Sequence, residues 1–265
     1  MTISARPVPG PPPIEYRPVS SHLAITPPVS VVIPAMNEAE NLPYVFKTLP
    51  DWIHEVVLVD GNSTDDTVAV ARGLRPDVVV VPQRGKGKGD ALISGFAACT
   101  GDIIVMVDAD GSADGEEIVA YVSALVGGAD FAKGSRFANG GGTDDMTPVR
   151  KLGNRVLTSM VNAKFGARYT DLCYGYNAFW RHCLDHLDLD CEGFEVETLM
   201  NIRVARAGLR VQEIPSHEYE RIHGTSNLRA VRDGFRVLSV ILKERGRRRP
   251  RRRPTRAALI REGRR

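Results

Sequence analysis

Residues 102–111 read DIIVMVDADG, and the fold turns on this stretch. Ile103 to Val107 form an apolar run that does not alternate with polar residues, as expected of a strand buried on both faces of a parallel sheet. The run then breaks into two carboxylates, Asp108 and Asp110. Three earlier runs have the same character: VSVVIP (29–34), EVVLVD (55–60) and VVVVP (78–82). Helical stretches separate them. Asn37 with Glu40 signals a start before NLPYVFKTL, and Ser63 with Asp66 before TVAVARGL. Further helices are expected from near Asp90 to Gly101 and from Glu116 to Leu125. The first half thus reads β-α-β-α-β-α-β-α, an α/β layer with a mostly parallel sheet flanked by helices. In such sheets the crossovers are right-handed and ligands gather at the carboxyl ends of the strands.

Beyond Arg136 the pattern changes. A loop NGGGTDD (139–145) leads to a helical run from Pro148 to Phe165, a strand-like YGYNAFW (174–180) and a helix from Phe194 to Ala207. A strand RVQEIP (210–215) and an amphipathic helix from Leu228 to Lys243 follow. These strands are too few to close a core alone, so they are expected to complete the same domain.

The chain of 265 residues suits one large core. We expect a proline-rich disordered arm over 1–28, a single folded domain over 29–244 and an arginine-rich tail over 245–265. The net charge of +3 conceals that asymmetry, because the body is close to balanced. Four scattered cysteines read as free thiols of a reducing compartment, and His182, Cys183 and His186 lack a companion zinc element. No apolar run approaches the ~20 residues that span a bilayer, so a cytoplasmic location is expected. The tail points to peripheral attachment at the inner face of an anionic membrane, each arginine adding about 1 kcal/mol near the surface. No aromatic residues interleave with the arginines, so no nucleic-acid partner is expected.

Two carboxylates in the turn beyond a buried strand can flank one hard cation, and oxygen ligands suit Mg2+ or Mn2+. Read alone, Asp108 and Asp110 serve equally well as turn and cap residues. The neighbouring strands sharpen the reading. One ends in Ala35-Met36-Asn37-Glu38 and another in Asp60-Gly61-Asn62-Ser63, so acids and amides converge on one sheet edge. Asp60 is an acceptor suited to a base or ribose. Arg84-Gly85-Lys86-Gly87-Lys88-Gly89 resembles a phosphate cradle, yet matches neither GxxxxGK[ST] nor GxGxxG, which excludes the P-loop and dinucleotide classes.

Taken in order, VVIPAMNEAENL, VVLVDGNSTDDT, GKGKGDALISGF, the 108–110 DAD, FAKGSRF, TDLCYGYNAFWR, GFEVETLMNIRVARAGLRVQEIP and ERIHGTSNL resemble the inverting family-two glycosyltransferases of the GT-A fold. Within that family they are most similar to dolichol-phosphate mannosyl- or glucosyltransferases and their bacterial polyprenyl-phosphate relatives. The resemblance spans Val29 to Leu228. It implies an inverting, metal-dependent transfer from a UDP- or GDP-sugar to a polyprenyl or dolichyl phosphate. Pro34, Ala35, Asn37, Glu38 and Asp60 would then hold the nucleotide, and Lys88 with Asp90 would line the donor site. Asp108 and Asp110 would serve ribose and metal, while Arg136, Arg221 and Ser226 would face the diphosphate or an acceptor phosphate. Two positions depart from the family pattern: Ser112 replaces a glutamine, and Ser226-Asn227 replaces Ser-Lys. If the acceptor were instead a metabolite or glycan hydroxyl, a general base would be needed, with Asp171, Glu195 and Glu197 as candidates. Two other classes stay open: a non-catalytic nucleotide-sugar-binding protein and a nucleotidyltransferase.

Overall fold

In the computed structural model, residues 27–226 and 228–246 are described. Most of the proline-rich arm and of the arginine-rich tail, together with Asn227, lies outside them. The four apolar runs form β1 (Val29–Ala35), β2 (Glu55–Asp60), β3 (Val79–Pro82) and β4 (Ile103–Met106). Between them lie α1 (Leu42–Thr48), α2 (Thr67–Leu74) and α3 (Gly87–Ala98). The chain continues through α4 (Ile118–Val126), β5 (Phe131–Ser135), the short β6 (Gly142–Thr143), α5 (Pro148–Phe165) and β7 (Asn177–Trp180). It ends with α6 (Leu184–Leu187), α7 (Val196–Ala207), β8 (Val211–Pro215), β9 (His217–Glu218) and α8 (Ala230–Gly246).

The main sheet has the order β3-β2-β1-β4-β7-β5-β8, and only β7 runs antiparallel to its neighbours. β6 and β9 pair separately. Strand order reverses between β1 and β4, where Val32 pairs with Met106, and this switch opens a crevice beyond their carboxyl ends. One face of the sheet packs on α1, α2 and α4 through Leu42, Val45, Ala71, Tyr121 and Leu125. The other packs on α3 and α7 through Leu92, Phe96, Val196 and Met200. A third cluster joins α5, α7 and α8 through Val161, Ile202, Val237 and Ile241. A buried aliphatic side chain of this kind contributes about 1.5–3 kcal/mol, so these clusters fix the strand ends on which the site is built.

The start signals are only partly kept. Asn37 adopts a left-handed backbone (φ 58°) and is not a cap. Its Oδ1 accepts the Thr64 amide at 2.7 Å, and its own amide donates to Ser63 Oγ at 3.0 Å. Both residues therefore lace the β1 loop to the β2 loop. Asp65 rather than Asp66 serves α2, accepting the Thr67 amide at 3.1 Å. α5 spans the expected Pro148–Phe165, and its ends are capped by residues not singled out in the sequence: Thr147 accepts the Arg150 amide, and Gly166 closes the helix with φ 69°.

Candidate active site

At the switch between β1 and β4 lies a cavity of about 480 Å3 lined by Pro34, Ala35, Glu38, Lys88, Asp108, Asp110, Arg221 and Ser226 among others. Four separate segments of the chain supply them. The β1 end brings Pro34 to Glu38, and the turn after β4 brings Asp108 to Asp110. Lys88 stands in the first turn of α3, and the loop before α8 brings Arg221 and Ser226. A larger cavity of about 580 Å3 sits elsewhere, between the 190–195 segment and α8. Of the expected residues it contains only Glu195, one of the general-base candidates, which is thereby placed away from the β1–β4 crevice.

Ion pairs organise the walls. Lys88 Nζ lies 2.6 Å from Asp108 Oδ1 and 2.8 Å from Glu197 Oε1. Burial favours a neutral lysine, but the two carboxylates outweigh it and hold Lys88 protonated well above its ordinary range. Burial likewise pushes the Glu197 carboxyl up; Lys88 opposes that push and the charge of Asp108 adds to it. Arg221 reaches Glu38 directly and places Nη1 at 3.6 Å from Asp110 Oδ2. The backbone of its segment also crosses the β4 turn, since the Tyr219 amide donates to Ser112 O at 2.8 Å and that of Ile222 to Asp110 O at 3.3 Å. Strand ends and covering loop are thus joined by main chain and charge together.

Gly175 sits directly over the lysine. A Cβ built there would stand 2.7 Å from Asp108 Oδ2 and 2.8 Å from Lys88 Nζ, closer than side chains tolerate. Gly175→Ala is therefore expected to displace Asp108 and weaken nucleotide binding by roughly tenfold or more, with overpacking costing about 1–3 kcal/mol. Titration calorimetry with nucleoside diphosphates, alongside thermal melts, checks both effects.

The glycines of the 84–89 loop have a different use from the one their pattern suggests. A Cβ on Gly87 would meet Glu192 O at 2.3 Å, and one on Gly89 would meet Cys191 O at 2.4 Å. The loop is pressed against the strap that leads into α7, and the Gly89 amide donates to Glu192 O at 2.8 Å. Lys86 remains exposed at the cavity wall, beside the positive end of α3. Asp90 caps this loop by accepting the Gly85 amide at 2.8 Å.

Asn37, Asp60 and Asp90 border the cavity without lining it. Asp60 ends β2 and accepts the Ser63 amide at 3.2 Å. Arg136 and Asp171 are not brought to it. The guanidinium gives Nε to Asp171 Oδ2 at 2.7 Å and Nη2 to Oδ1 at 2.9 Å, while Nη1 takes Glu218 at 3.0 Å. Asn154 adds a bond to Asp171 Oδ1 at 3.0 Å. Both side chains are almost wholly buried and satisfied by each other. Lys133 lies nearby, fully buried, with Nζ on Gly134 O at 3.0 Å; desolvation carries its pKa down.

Sequence reasoning did not assign Phe194 or Gln83 to the cavity, yet both line it. Phe194 and Glu197, one helical turn apart in GFEVE, were legible as a pair delivered by one helix start. Among the described residues no group of three or more His, Cys, Asp or Glu side chains gathers to hold an ion alone. Asp108 and Asp110 suit a cation that takes most of its ligands from phosphate and water, as Mg2+ does. Asp110 keeps its side chain partly exposed to the cavity, and its Oδ1 accepts the Ser112 amide at 3.1 Å.

A doubly wound sheet with carboxylates and lysines at its switch point defines the nucleotide-diphospho-sugar transferase class, the GT-A fold. Within that class the chain belongs to glycosyl transferase family 2, whose profile matches residues 30–187. It is 31% identical over 209 residues to the glycosyltransferase AglJ of Haloferax volcanii, covering 78% of this chain and 68% of that protein. It is 35% identical over 215 residues to the polyprenol monophosphomannose synthase of Mycolicibacterium smegmatis, covering 75% and 80%. Of two further archaeal relatives it spans 55% and 59% of their length. Among solved structures it resembles glucosyl-3-phosphoglycerate synthase of Mycobacterium tuberculosis, in complex with Mn2+, uridine diphosphate and glucosyl-3-phosphoglycerate. That match has a TM-score of 0.66 and 26% identity, over 83% of this chain and 80% of the other.

Proposed function

We propose that the cavity binds a UDP- or GDP-sugar with Mg2+ or Mn2+ and transfers the sugar, with inversion, to a polyprenyl or dolichyl phosphate. The observation that carries the acceptor class is the state of the carboxylates. Glu38, Asp108 and Asp110 each face a cation, and Glu197 is bound to Lys88. Asp171 is locked to Arg136, and Glu195 lines the separate cavity beside α8. No uncommitted base stands in the cavity wall among the described residues. A hydroxyl acceptor needs one, whereas a phosphate is already anionic. Relatives whose names specify lipid phosphates support the same reading.

In this reading the acceptor phosphate oxygen forms a bond to the anomeric carbon as the bond to the donor diphosphate breaks. The nucleoside diphosphate leaves with the electron pair, and no proton needs to move. Asp60, Asn37, Glu38, Pro34 and Ala35 frame base and ribose. Lys88 orients Asp108, while Lys86, Arg221 and Ser226 meet phosphate oxygens. Arg136 and Asp171 hold the 135–143 and 170–173 loops behind the site. A bound divalent cation would sit on Asp108 and Asp110 and neutralise charge on the departing diphosphate. The transfer would take place at the inner face of a membrane, with the 245–265 arginines drawn to anionic lipid.

Nucleotide release from UDP-, GDP- and dTDP-sugars, with and without polyprenyl phosphate, tests this. Release by one donor that rises at least tenfold with the lipid phosphate, and stops on chelation, is the expected result. Equal stimulation by simple sugars would transfer the assignment to a hydroxyl acceptor. Pyrophosphate from a nucleoside triphosphate would make the chain a nucleotidyltransferase.

A further inference from the structure

The strap over 190–195 separates two cavities. Phe194 lines the donor cavity, while Glu192 and Glu195 on either side of it line the cavity of about 580 Å3 against α8. That volume lies in the range of pockets that enclose small organic ligands. Arg203 forms a closed network in its wall: Nη2 meets Asp190 at 2.7 Å and Glu244 at 3.0 Å, and Glu244 also takes Arg206 at 2.9 Å. Four charged side chains are left over. Glu192 and Lys243 are exposed and make no ion pair among the described residues. Arg236 comes only within 3.7 Å of Asp233. Glu195 takes the Gly193 amide on Oε1 at 3.3 Å, and its Oε2 is buried with no hydrogen-bond partner.

These four sort by wall. The strap supplies acceptors, Glu192 and Glu195, and α8 supplies donors, Arg236 and Lys243, seven residues apart and hence on one side of the helix. Glu195 Oε2 and Arg236 Nη1 converge over Gly193, where a Cβ would stand 2.5 Å from the first and 2.7 Å from the second. They do not pair with each other. A ligand that matches both walls carries an anion for the guanidinium and ammonium groups and hydroxyls for the carboxylates. A plain anion would face the strap carboxylates, and an uncharged polyol would leave the α8 cations unmatched. A sugar phosphate meets both demands.

We infer that the cavity between the strap and α8 is a second ligand site, for a phosphorylated sugar, distinct from the donor cavity and coupled to it through the strap. The phosphate lies between Arg236 and Lys243, and the sugar hydroxyls donate to Glu192 and Glu195. Arg236 turns from Gly193 toward the phosphate, which uncovers Glu195 Oε2. The coupling runs through main chain: the Gly89 amide donates to Glu192 O at 2.8 Å, and the carbonyls of Glu192 and Cys191 lie against Gly87 and Gly89. A ligand that bridges the strap to α8 steadies the 84–89 loop, so that less order remains to be imposed when a diphosphate binds there. Each ligand must then change the affinity of the other by the same factor. The inference goes beyond the proposed transfer reaction, and holds whichever acceptor that reaction uses.

Titration calorimetry of the full chain, saturated with a nucleoside diphosphate and Mn2+ so that the donor cavity is filled, tests this. The probes are glucose 1-phosphate and mannose 1-phosphate, with glucose, mannose and inorganic phosphate as controls. One of the sugar phosphates should bind, and the controls should bind at least about tenfold more weakly. The double variant Arg236→Ala, Lys243→Ala, and separately Glu195→Ala, should weaken that binding by about tenfold or more. Without sugar phosphate, the double variant should keep the parent's thermal melt and nucleoside diphosphate affinity. In the parent the sugar phosphate should tighten nucleoside diphosphate binding about threefold or more, and the double variant should lose that gain. The inference is overturned if neither sugar phosphate binds, if it competes with the nucleoside diphosphate, or if the variants bind like the parent. Equal binding of inorganic phosphate overturns it as an adventitious ion only, and equal binding of the free sugars removes the phosphate from the assignment. Binding without the threefold gain refutes the coupling. If no nucleoside diphosphate binds, the transfer reaction fails, while the sugar phosphate titration and its loss in the variants still decide this site.

Discussion

Asp110→Ala is expected to lower sugar transfer by roughly 10²- to 10³-fold, the scale seen when one preorganised electrostatic group is removed from an active site. Asp110 stands in the turn beyond a buried strand, so the sheet sets its backbone position, while its carboxylate makes only the Ser112 amide bond and a 3.6 Å approach to Arg221. Its side chain is partly exposed, and the bond from Ile222 goes to its main-chain carbonyl, which alanine retains. Stability should therefore change little. The loss should appear in the transfer rate, with a smaller effect on binding of a nucleoside without diphosphate. Nucleotide release at saturating donor, measured with a thermal melt, separates the two. A variant with full activity would remove Asp110 from the site, and with it the proposed cation.

Asp171→Ala should act in the opposite way, through the fold. Removing this carboxylate leaves the Arg136 guanidinium buried beside Asn154 with one of its two carboxylate partners gone. Breaking a buried ion pair from one side costs about 3–5 kcal/mol, a large part of a domain's margin. Urea denaturation should show the midpoint falling sharply in the variant. The pair also imposes a pH dependence. Burial raises the Asp171 pKa, but Arg136 and Lys133 together with hydrogen bonds outweigh it, and the net direction is down. A carboxyl depressed on folding contributes stability that is complete above its unfolded pKa of about 3.9 and is lost as pH falls through its folded value. The parent should thus lose stability steeply below about pH 4, and Asp171→Ala should flatten that segment of the curve. An unchanged midpoint would mean that the cluster is not what holds these loops.

The sheet was the most legible part of the chain. β1, β2 and β4 announce themselves as unbroken β-branched runs, because a strand covered on both faces has no polar positions to spare. The placement of β7 was not legible. Its sequence marks it as a strand, but its insertion between β4 and β5, antiparallel to both, is decided by pairing across 71 residues in the register Met106 to Asn177. The site divides along the same line. Residues delivered by strand ends, such as Glu38, Asp108 and Asp110, could be placed from sequence because the strand fixes their position. Arg136 could not. A guanidinium beside a strand end serves a phosphate or a buried carboxylate equally well, and only the folded position of Asp171 decides which. Lys88 shows the converse: its motif suggested a free phosphate ligand, whereas two carboxylates hold it.

The near-contact of Gly87 and Gly89 with the carbonyls of Glu192 and Cys191 bears on attempts to change donor preference by grafting. The 84–89 turn and the 191–193 strap are matched surfaces, lock and wards cut together. A turn borrowed from a relative without its own strap would bring side chains or a curvature that the resident strap has no room for. Chimeras that exchange both segments at once should remain soluble, and those that exchange one should not.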